Sequence, residues 1–222
     1  MPKILFLWTE TNNMQYTKYI PDKKKLYKFS RLISLNYEIG NVVNNNYVFE
    51  RKISRIVKPR CCHISDENSI VHGITQKMAE ENGFPIEEII GELKDNIMNV
   101  NIIVTYNTSY HYNTILAEAI RYNVIISFNK TINIDIMTFN NIIPNDINSL
   151  ANKFNIDTNT SKLDLIKSIF FKLYEEYKQS INGEQVNTNI VEKKTTKKPT
   201  KAKKKETITI PVKKLKIKSD IN

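Results

Sequence analysis

Lys3-Ile-Leu-Phe-Leu-Trp8 is a short apolar run near the start of the chain, and it predicts a buried β-strand. A second strand is predicted over Arg31-Leu-Ile-Ser-Leu-Asn-Tyr-Glu-Ile39. Turn-forming residues, Gly40 and Asn44 to Asn46, separate it from a third strand over residues 47–58. The second and third strands are therefore expected to form an antiparallel hairpin.

Beyond residue 58 the pattern changes from strands to an alternation of helices and strands. Thr75 is placed to cap a helix through Glu80, and Gly83-Phe-Pro85 ends it. The later segments predict helices at 86–98, about 112–122, 147–154 and 161–179, with strands at 101–105, 124–128 and 134–139. Three strands followed by this alternation predict an α/β domain around a mixed sheet.

The positive charge is confined to one end of the 222-residue chain. Residues 193–222 hold twelve lysines against Glu206 and Asp220, which accounts for the whole net charge of +10 and leaves residues 1–192 neutral. We predict a folded domain over 1–192 and a disordered lysine-rich tail over 193–222, because the tail has too little apolar surface to offset its chain entropy. Within the domain, the polar stretch with Pro21 and Lys23 to Lys25 predicts a loop.

Composition also excludes several classes of protein. No apolar run approaches the roughly 20 residues of a membrane span, and Thr9-Glu10 interrupts the early apolar run that a signal peptide would need. The adjacent Cys61 and Cys62 give no disulfide framework and no metal-ligand spacing. We expect an intracellular protein, cytoplasmic or nuclear, without a membrane partner. The bias toward Asn, Ile and Lys suggests an AT-rich genome, such as that of a large DNA virus or a similarly biased eukaryote.

Three strings carry a resemblance to a known family. Phe6-Leu-Trp-Thr-Glu-Thr11 ends the first strand, Val71-His-Gly-Ile-Thr75 precedes the turn at Gly83, and a third string runs from Ile103 to Arg121. Over most of residues 3–192 the chain resembles the DEDD-type 3′–5′ exonucleases, the DnaQ-like proofreading type. The resemblance implies a ribonuclease-H-like mixed sheet that starts with three antiparallel strands, continues with parallel strands and is flanked by helices.

The residues that depart from the family pattern are the ones that its chemistry uses. The family's first motif is Asp-x-Glu-Thr, and here Trp8 takes the place of the aspartate while Glu10 is retained. The second motif, His-Asn-x-x-Phe-Asp, corresponds to Tyr106–His111, so that His111 replaces an aspartate. The third motif, a histidine followed five positions later by an aspartate, aligns with Asn187 and Glu192.

These replacements bear directly on catalysis. Two-metal hydrolysis of a phosphodiester clamps the attacking and leaving oxygens between two divalent cations, and Mg²⁺ prefers hard oxygen ligands. Trp8 offers no oxygen, His111 offers a nitrogen that suits Mn²⁺ or Zn²⁺ better, and Asn187 is no base. We predict impaired or absent hydrolysis, with no required cofactor. Mg²⁺ or Mn²⁺ is expected only with residual activity, held by Glu10 and Glu192.

By resemblance, a cleft for the terminal nucleotide is bordered by six residues: Thr9, Thr11, His72, Ile74, Asn107 and Tyr110. Asn107 either binds a nucleotide or braces the strand end, and His72 has a binding or a structural role. Trp8 and Tyr110 either stack on a base or fill the emptied metal site. His111 is either a substituted metal ligand or a polar helix cap. Glu10 either holds one cation or is a relict in a solvated cleft.

Three classes of function follow. The first is an exonuclease-like protein that binds single-stranded DNA or RNA, or a replication or repair protein, with the lysine tail adding contacts to phosphates. The second is a working 3′–5′ exonuclease with a reduced carboxylate set. The third is a protein-interaction module on the same fold. As an alternative, the lysine run is only a solubilising or nuclear-localisation segment.

Overall fold

The computed structural model describes residues 2–13, 19–44, 46–60, 62–138 and 146–176. The described residues all belong to one compact unit, Met1–Gln179. The predicted domain boundary at residue 192 and the tail after it lie outside them. In chain order the elements are β1 (Lys3–Thr11), β2 (Leu32–Val43), β3 (Asn46–Ile56), α1 (Asp66–His72), α2 (Gln76–Asn82), α3 (Ile86–Ile97), β4 (Ile102–Thr105), α4 (Thr108–Arg121), β5 (Ile132–Asp135), α5 (Ile147–Lys153) and α6 (162–176).

The sheet has the mixed topology that the sequence predicts. Its strand order is β3-β2-β1-β4-β5. The first three strands pair antiparallel, whereas β4 pairs parallel with both β1 and β5. The apolar strand β1 lies in the centre, where both of its faces are covered, and this explains why Ile4 to Leu7 are all buried.

Side chains alternate across β1 and so connect it to helices on both faces. Leu5 and Leu7 belong to the large apolar cluster that α3 enters through Ile89, Ile90 and Leu93. Phe6 points to the other face, where its ring lies 5.7 Å from that of Phe170 and 5.9 Å from that of Phe171 in α6. The sheet is thus the middle layer of three.

A buried ion pair attaches α6 to the sheet on the same face as Phe6. Glu38 in β2 is 2% exposed, and Lys167 Nζ donates to its two carboxylate oxygens at 2.8 and 3.1 Å. The Tyr47 hydroxyl donates to the same carboxylate at 3.0 Å. Because this carboxylate has both a cation and a hydroxyl donor, its burial is compensated.

A second buried carboxylate, Glu118 of α4, joins the helix to the start of β2. Glu118 is 1% exposed and accepts from Arg31 Nε at 2.7 Å, from Arg121 Nη1 at 2.8 Å and from the Leu32 amide at 3.2 Å. Arg121 also donates to the carbonyls of Leu26 and Phe29, in and beside a short 3-10 helix at Leu26–Lys28. One carboxylate therefore fixes a helix, a strand and the loop before that strand.

The structure differs from the sequence prediction at two helices, α1 and α4. A helix that the sequence reading did not predict, α1, begins after Ser65, whose side chain accepts from the Asn68 amide, and ends at Gly73 in the left-handed conformation with φ 75°. A serine followed by two acids, with a glycine eight positions later, was the available signal. The predicted cap at Thr75 is confirmed, since its side chain accepts from the Met78 amide at 3.1 Å. Helix α4 begins four residues earlier than predicted.

The predicted strand at 124–128 is wrong, because those residues form no regular structure. The Val124 amide bonds to the Ala119 carbonyl and so closes the end of α4. Phe128 then packs into the core and its ring stacks on that of Tyr112 at 3.9 Å. Apolar residues are needed here for packing, without any strand partner. The strand predicted at 134–139 is wrong in its bounds, since β5 spans Ile132–Asp135 and residues 136–138 form a turn, while residue 139 lies outside the described ones.

Cys62 is half-buried, and Cys61 is outside the described residues. Of the helices that the structure describes, none combines the length and the apolar character needed to cross a membrane.

We predict that Glu118→Ala lowers the free energy of unfolding by about 3–5 kcal/mol, because it leaves two half-buried arginines without their shared carboxylate. Urea unfolding followed by circular dichroism measures the change. The control is Glu81→Ala, which breaks the exposed pair with Lys77 and should cost less than about 1 kcal/mol. Equal losses for the two variants would contradict the assigned role of Glu118.

Candidate nucleic-acid site

The carboxyl end of β1 brings together the residues that the sequence singled out. Trp8 and Glu10 share one face of the strand, and the Trp8 indole Nε1 donates to Glu10 Oε1 at 2.6 Å. Burial raises the pKa of the Glu10 carboxyl, while the bond from Trp8 and the charge of Lys162 act in the opposite direction. The carboxylate is therefore engaged by the tryptophan two residues before it.

His111 lies beneath this strand end and is 1% exposed. Its Nδ1 accepts from the Thr9 amide at 3.3 Å and lies 2.7 Å from Thr9 Oγ1, while its ring centroid is 4.8 Å from that of Trp8. Burial lowers the pKa of His111 to about 4, although a hydrogen bond with the Tyr106 backbone works in the other direction. His111 is thus a neutral, buried histidine whose Nδ1 is an acceptor, and it does not cap α4.

Asn107 is the cap of α4, at a φ of 64°, and its side chain accepts from the Tyr110 amide. Asparagine tolerates this left-handed conformation better than most residues. Asp135, at the end of β5, reinforces the turn by accepting from the Asn107 amide at 2.8 Å and from the Thr108 amide at 2.9 Å. The sequence left Asn107 either a nucleotide-binding or a bracing role, and these contacts brace the end of the strand. Asp135 was missed by sequence reasoning, although an acid closing a strand beside a helix start is a recognisable signal.

Thr11 and Tyr110 connect the end of β1 to the first turn of α4 through their hydroxyl groups. Since Thr11 Oγ1 donates to the Asn13 carbonyl, the Tyr110 hydroxyl is the donor in the bond between the two. Tyr110 also contacts the His111 ring edge-on, with centroids 5.5 Å apart. The two residues hold adjacent elements together at the rim of the site.

His72 and Ile74 lie in a neighbouring corner formed by α1 and α2. His72 Nδ1 accepts from the Ile74 amide at 3.1 Å, and Ile74 packs in a small cluster with Ile33, Ile64 and Ala79. Asn68 of α1 donates to the Asn12 carbonyl and ties this corner to the end of β1. Burial lowers the pKa of His72. His72 Nδ1 thus bonds within its own segment, whereas its buried Nε2 has no hydrogen-bond partner among the described residues, and Ile74 packs the segment against β2 through Ile33.

Lys162, the first residue of α6, is a charged neighbour of Glu10 that the sequence did not indicate. Its Nζ donates to Asn148 Oδ1 at 2.8 Å. Its charge opposes the burial that raises the pKa of Glu10, and it contributes to lowering the pKa of Asp146. The predicted third-motif residues, Asn187 and Glu192, are outside the described part of the chain. Among the described residues, the charge that acts on Glu10 is therefore the ammonium group of Lys162.

The described residues do not fit a two-metal centre. At the motif positions that can be compared, only Glu10 is a carboxylate, and an ammonium group acts on it. Within the described ranges, no three His, Cys, Asp or Glu side chains come close enough together to hold a metal ion. A cation at Glu10 would lack the several oxygen ligands that Mg²⁺ requires.

No protein-family model matches the sequence, and no curated protein matches it either. Solved structures do match. Escherichia coli exonuclease I in complex with a dT13 oligonucleotide superposes with a TM-score of 0.59 at 12% identity, over 85% of this chain and 44% of that one. This chain has the fold of the matching part of exonuclease I.

Two further exonuclease I structures agree. The enzyme from Methylocaldum szegediense gives a TM-score of 0.57 at 15% identity, over 79% of this chain and 41% of that one. Exonuclease I with SSB and the inhibitor CFAM gives 0.56 at 12% identity, over 76% and 40%. The chain spans about two fifths of the length of these exonuclease I chains. The ribonuclease-H-like fold that the sequence strings implied is therefore confirmed.

We predict that His111 makes folding stability depend on pH. In the unfolded chain its pKa is about 6.5, above the folded value of about 4, so the unfolded state binds more protons between these values and stability falls as the pH is lowered through this window. Between pH 7 and pH 5 the loss due to His111 is about 2 kcal/mol.

The measurement is urea unfolding of the wild type and of His111→Gln at both pH values. Glutamine keeps an oxygen acceptor for Thr9 but does not titrate, so the wild type should lose about 2 kcal/mol more than the variant. Equal losses in the two proteins would refute the buried neutral histidine.

Proposed function

We propose that this chain is an exonuclease-like protein that binds single-stranded nucleic acid without two-metal hydrolysis, and that its lysine tail adds non-specific contacts to phosphates. The observation that carries the proposal is the contact between Trp8, Glu10 and His111. At the strand end the Trp8 indole donates a hydrogen bond to the Glu10 carboxylate, and His111, which packs against Trp8, is buried and neutral. The polar groups of this strand end are hydrogen-bonded to one another within the protein itself.

The relatives support nucleic acid as the ligand. An exonuclease I of this fold is known in complex with a dT13 oligonucleotide. Here the scaffold around the corresponding strand end is intact, since Asn107, Asp135 and the Thr11–Tyr110 bond fix α4 against β1. A scaffold maintained this closely, with the chemical groups replaced, favours retention of binding over retention of catalysis.

A replication or repair protein is the second class of partner that we propose. Exonuclease I has been solved together with SSB, which makes a protein that works on single strands a reasonable partner for this fold. If the chain acts purely as a protein-interaction module, it will capture such a partner and show no affinity for nucleic acid. The binding experiments below distinguish the two.

We predict that the full chain does not shorten a 5′-labelled single-stranded oligonucleotide in either Mg²⁺ or Mn²⁺, and that it binds the oligonucleotide equally well in EDTA at matched ionic strength. The physical reason is that one carboxylate, already bonded to the Trp8 indole, cannot assemble two divalent cations. Gel analysis of the label and fluorescence anisotropy provide the two measurements.

Metal-dependent shortening that disappears in Glu10→Gln would overturn this proposal in favour of a working exonuclease. Shortening that is the same in Glu10→Gln would come from a contaminating nuclease, and the binding in EDTA would then decide alone. Glu10→Gln is a suitable variant because the amide keeps an oxygen acceptor for the Trp8 indole.

We also predict that removal of residues 193–222 weakens single-strand binding and flattens its salt dependence. The slope of log K against log salt should fall by about 0.7 for each phosphate that the protein no longer neutralises. A full-length variant with the twelve tail lysines changed to glutamine is the control for chain length and should behave like the truncation. Affinity and slope that are unchanged in both variants would leave the tail as a solubilising segment.

A further inference from the structure

The loop between β1 and β2 displays exposed aromatic rings among lysines. Tyr27 is 75% exposed and Tyr19 is 45% exposed. Lys28 Nζ lies 3.8 Å from the centroid of the Tyr19 ring and 5.8 Å from that of Tyr27, while Lys25 Nζ lies 5.1 Å from Tyr19. We call Tyr19, Lys23, Lys24, Lys25, Tyr27 and Lys28 the lysine–tyrosine patch.

The patch has a local excess of positive charge. Asp22 pairs with Lys25 at 3.2 Å. Among the described residues, Lys23, Lys24 and Lys28 have no acidic partner. Two of these three, Lys23 and Lys24, are exposed. The domain is neutral only as an average over 192 residues, and this corner is basic.

The patch stands on a fixed base. Arg121 of α4 donates to the Leu26 carbonyl at 2.6 Å and to the Phe29 carbonyl at 2.9 Å. Phe29 is buried, and Arg121 is itself held by Glu118. The Tyr27 ring thus projects from a short segment fastened on both sides, so that ordering it against a ligand costs little additional entropy.

The patch is continuous with the end of β1. The amide and carbonyl of Arg31 bond to Asn12, the residue that follows β1, at 2.8 and 3.0 Å. A cavity of about 350 Å³ lies at this junction, and its lining includes Asn12, Asn13, Tyr27, Arg31 and Arg121. This depression is open to solvent and joins Tyr27 to the residues that follow β1.

We infer that the lysine–tyrosine patch binds a single strand of nucleic acid, with an unpaired base stacked on Tyr27 and backbone phosphates paired with Lys23, Lys24 and Lys28. Exposed rings beside unpaired lysines match the two features by which proteins bind single strands, stacking surfaces and a basic track. A duplex hides its base faces, so it would use only the charges. This assignment rests on the proposed nucleic-acid binding and gives it a location within the domain.

The test uses the full chain with its tail, in EDTA, and fluorescence anisotropy with a labelled single-stranded oligonucleotide. Tyr27→Ser should weaken binding by about five- to a hundredfold, as removal of a stacking ring does, whereas Tyr27→Phe keeps the ring and should bind like the wild type. The matched control is Phe49→Ser, which removes another exposed ring, 57% exposed, on the edge strand β3.

The charge contribution is tested by the double variant Lys23→Glu/Lys24→Glu. It should lower the salt slope by about 1.4, because two phosphates are no longer neutralised. Lys77→Glu/Lys94→Glu changes the net charge equally on exposed positions of α2 and α3, and should lower affinity less. Circular dichroism confirms that each variant is folded.

The outcomes separate the two proposals. If the wild type binds no single strand, the proposed function fails. If the wild type binds but the patch variants match their controls, the function stands and the assignment to the patch is wrong. Equal loss of duplex and single-strand binding in Tyr27→Ser would also overturn it, because stacking on the ring requires an unpaired base.

Discussion

Glu118 is a carboxylate almost completely removed from water, and it accepts hydrogen bonds from two arginines and a backbone amide. An isolated charge at such a depth would be prohibitively unfavourable, so its burial requires both guanidinium groups to stay in place. That requirement determines where Arg31 and Arg121 lie, and through them the start of β2 and the carbonyls of Leu26 and Phe29. The position of α4 over the end of β1 follows from the same contacts, and with it the geometry of the candidate site.

Under the proposed function, contacts within the protein take the place of a carboxylate cluster and its metal ions at the end of β1. Several carboxylates held close together repel one another unless cations or protons compensate them. In this chain a neutral histidine accepts from Thr9, a tryptophan donates to the one remaining acid, and Lys162 supplies a positive charge near it. Each of these groups has a hydrogen-bond partner within the described part of the protein. These internal hydrogen bonds are the observation that supports the proposal of binding without hydrolysis.

The sequence predicted the parts of the fold that depend on local pattern. Apolar runs gave the three antiparallel strands, and Thr75 gave the cap of α2. Residues 124–128 were misread because side chains that fill a core, such as Phe128, have the same apolar character as those of a strand. The pairing of Thr9 with His111 spans 102 positions, and no local pattern reports it. The same holds for Lys162, whose proximity to Glu10 arises only when α6 packs on the sheet. The family strings identified the fold. They did not reveal which groups would form hydrogen bonds with one another at the positions where this chain departs from the family motifs.

The net charge of the sequence likewise does not show where charges lie on the folded surface. A net charge of zero over residues 1–192 suggests a domain without electrostatic attraction for nucleic acid, and it directs attention to the tail. Folding changes this picture, because the acidic side chains are not distributed evenly among the basic ones. Two of them are buried in ion pairs: Glu118 with Arg31 and Arg121, and Glu38 with Lys167. Asp22, the acid within the loop, is used by Lys25. Within the described structure, Lys23, Lys24 and Lys28 have no acidic partner and lie beside exposed rings. What matters to a polyanion is this local field within about a Debye length, roughly 8 Å at physiological salt, so a formally neutral domain still presents a cationic surface next to its strand end.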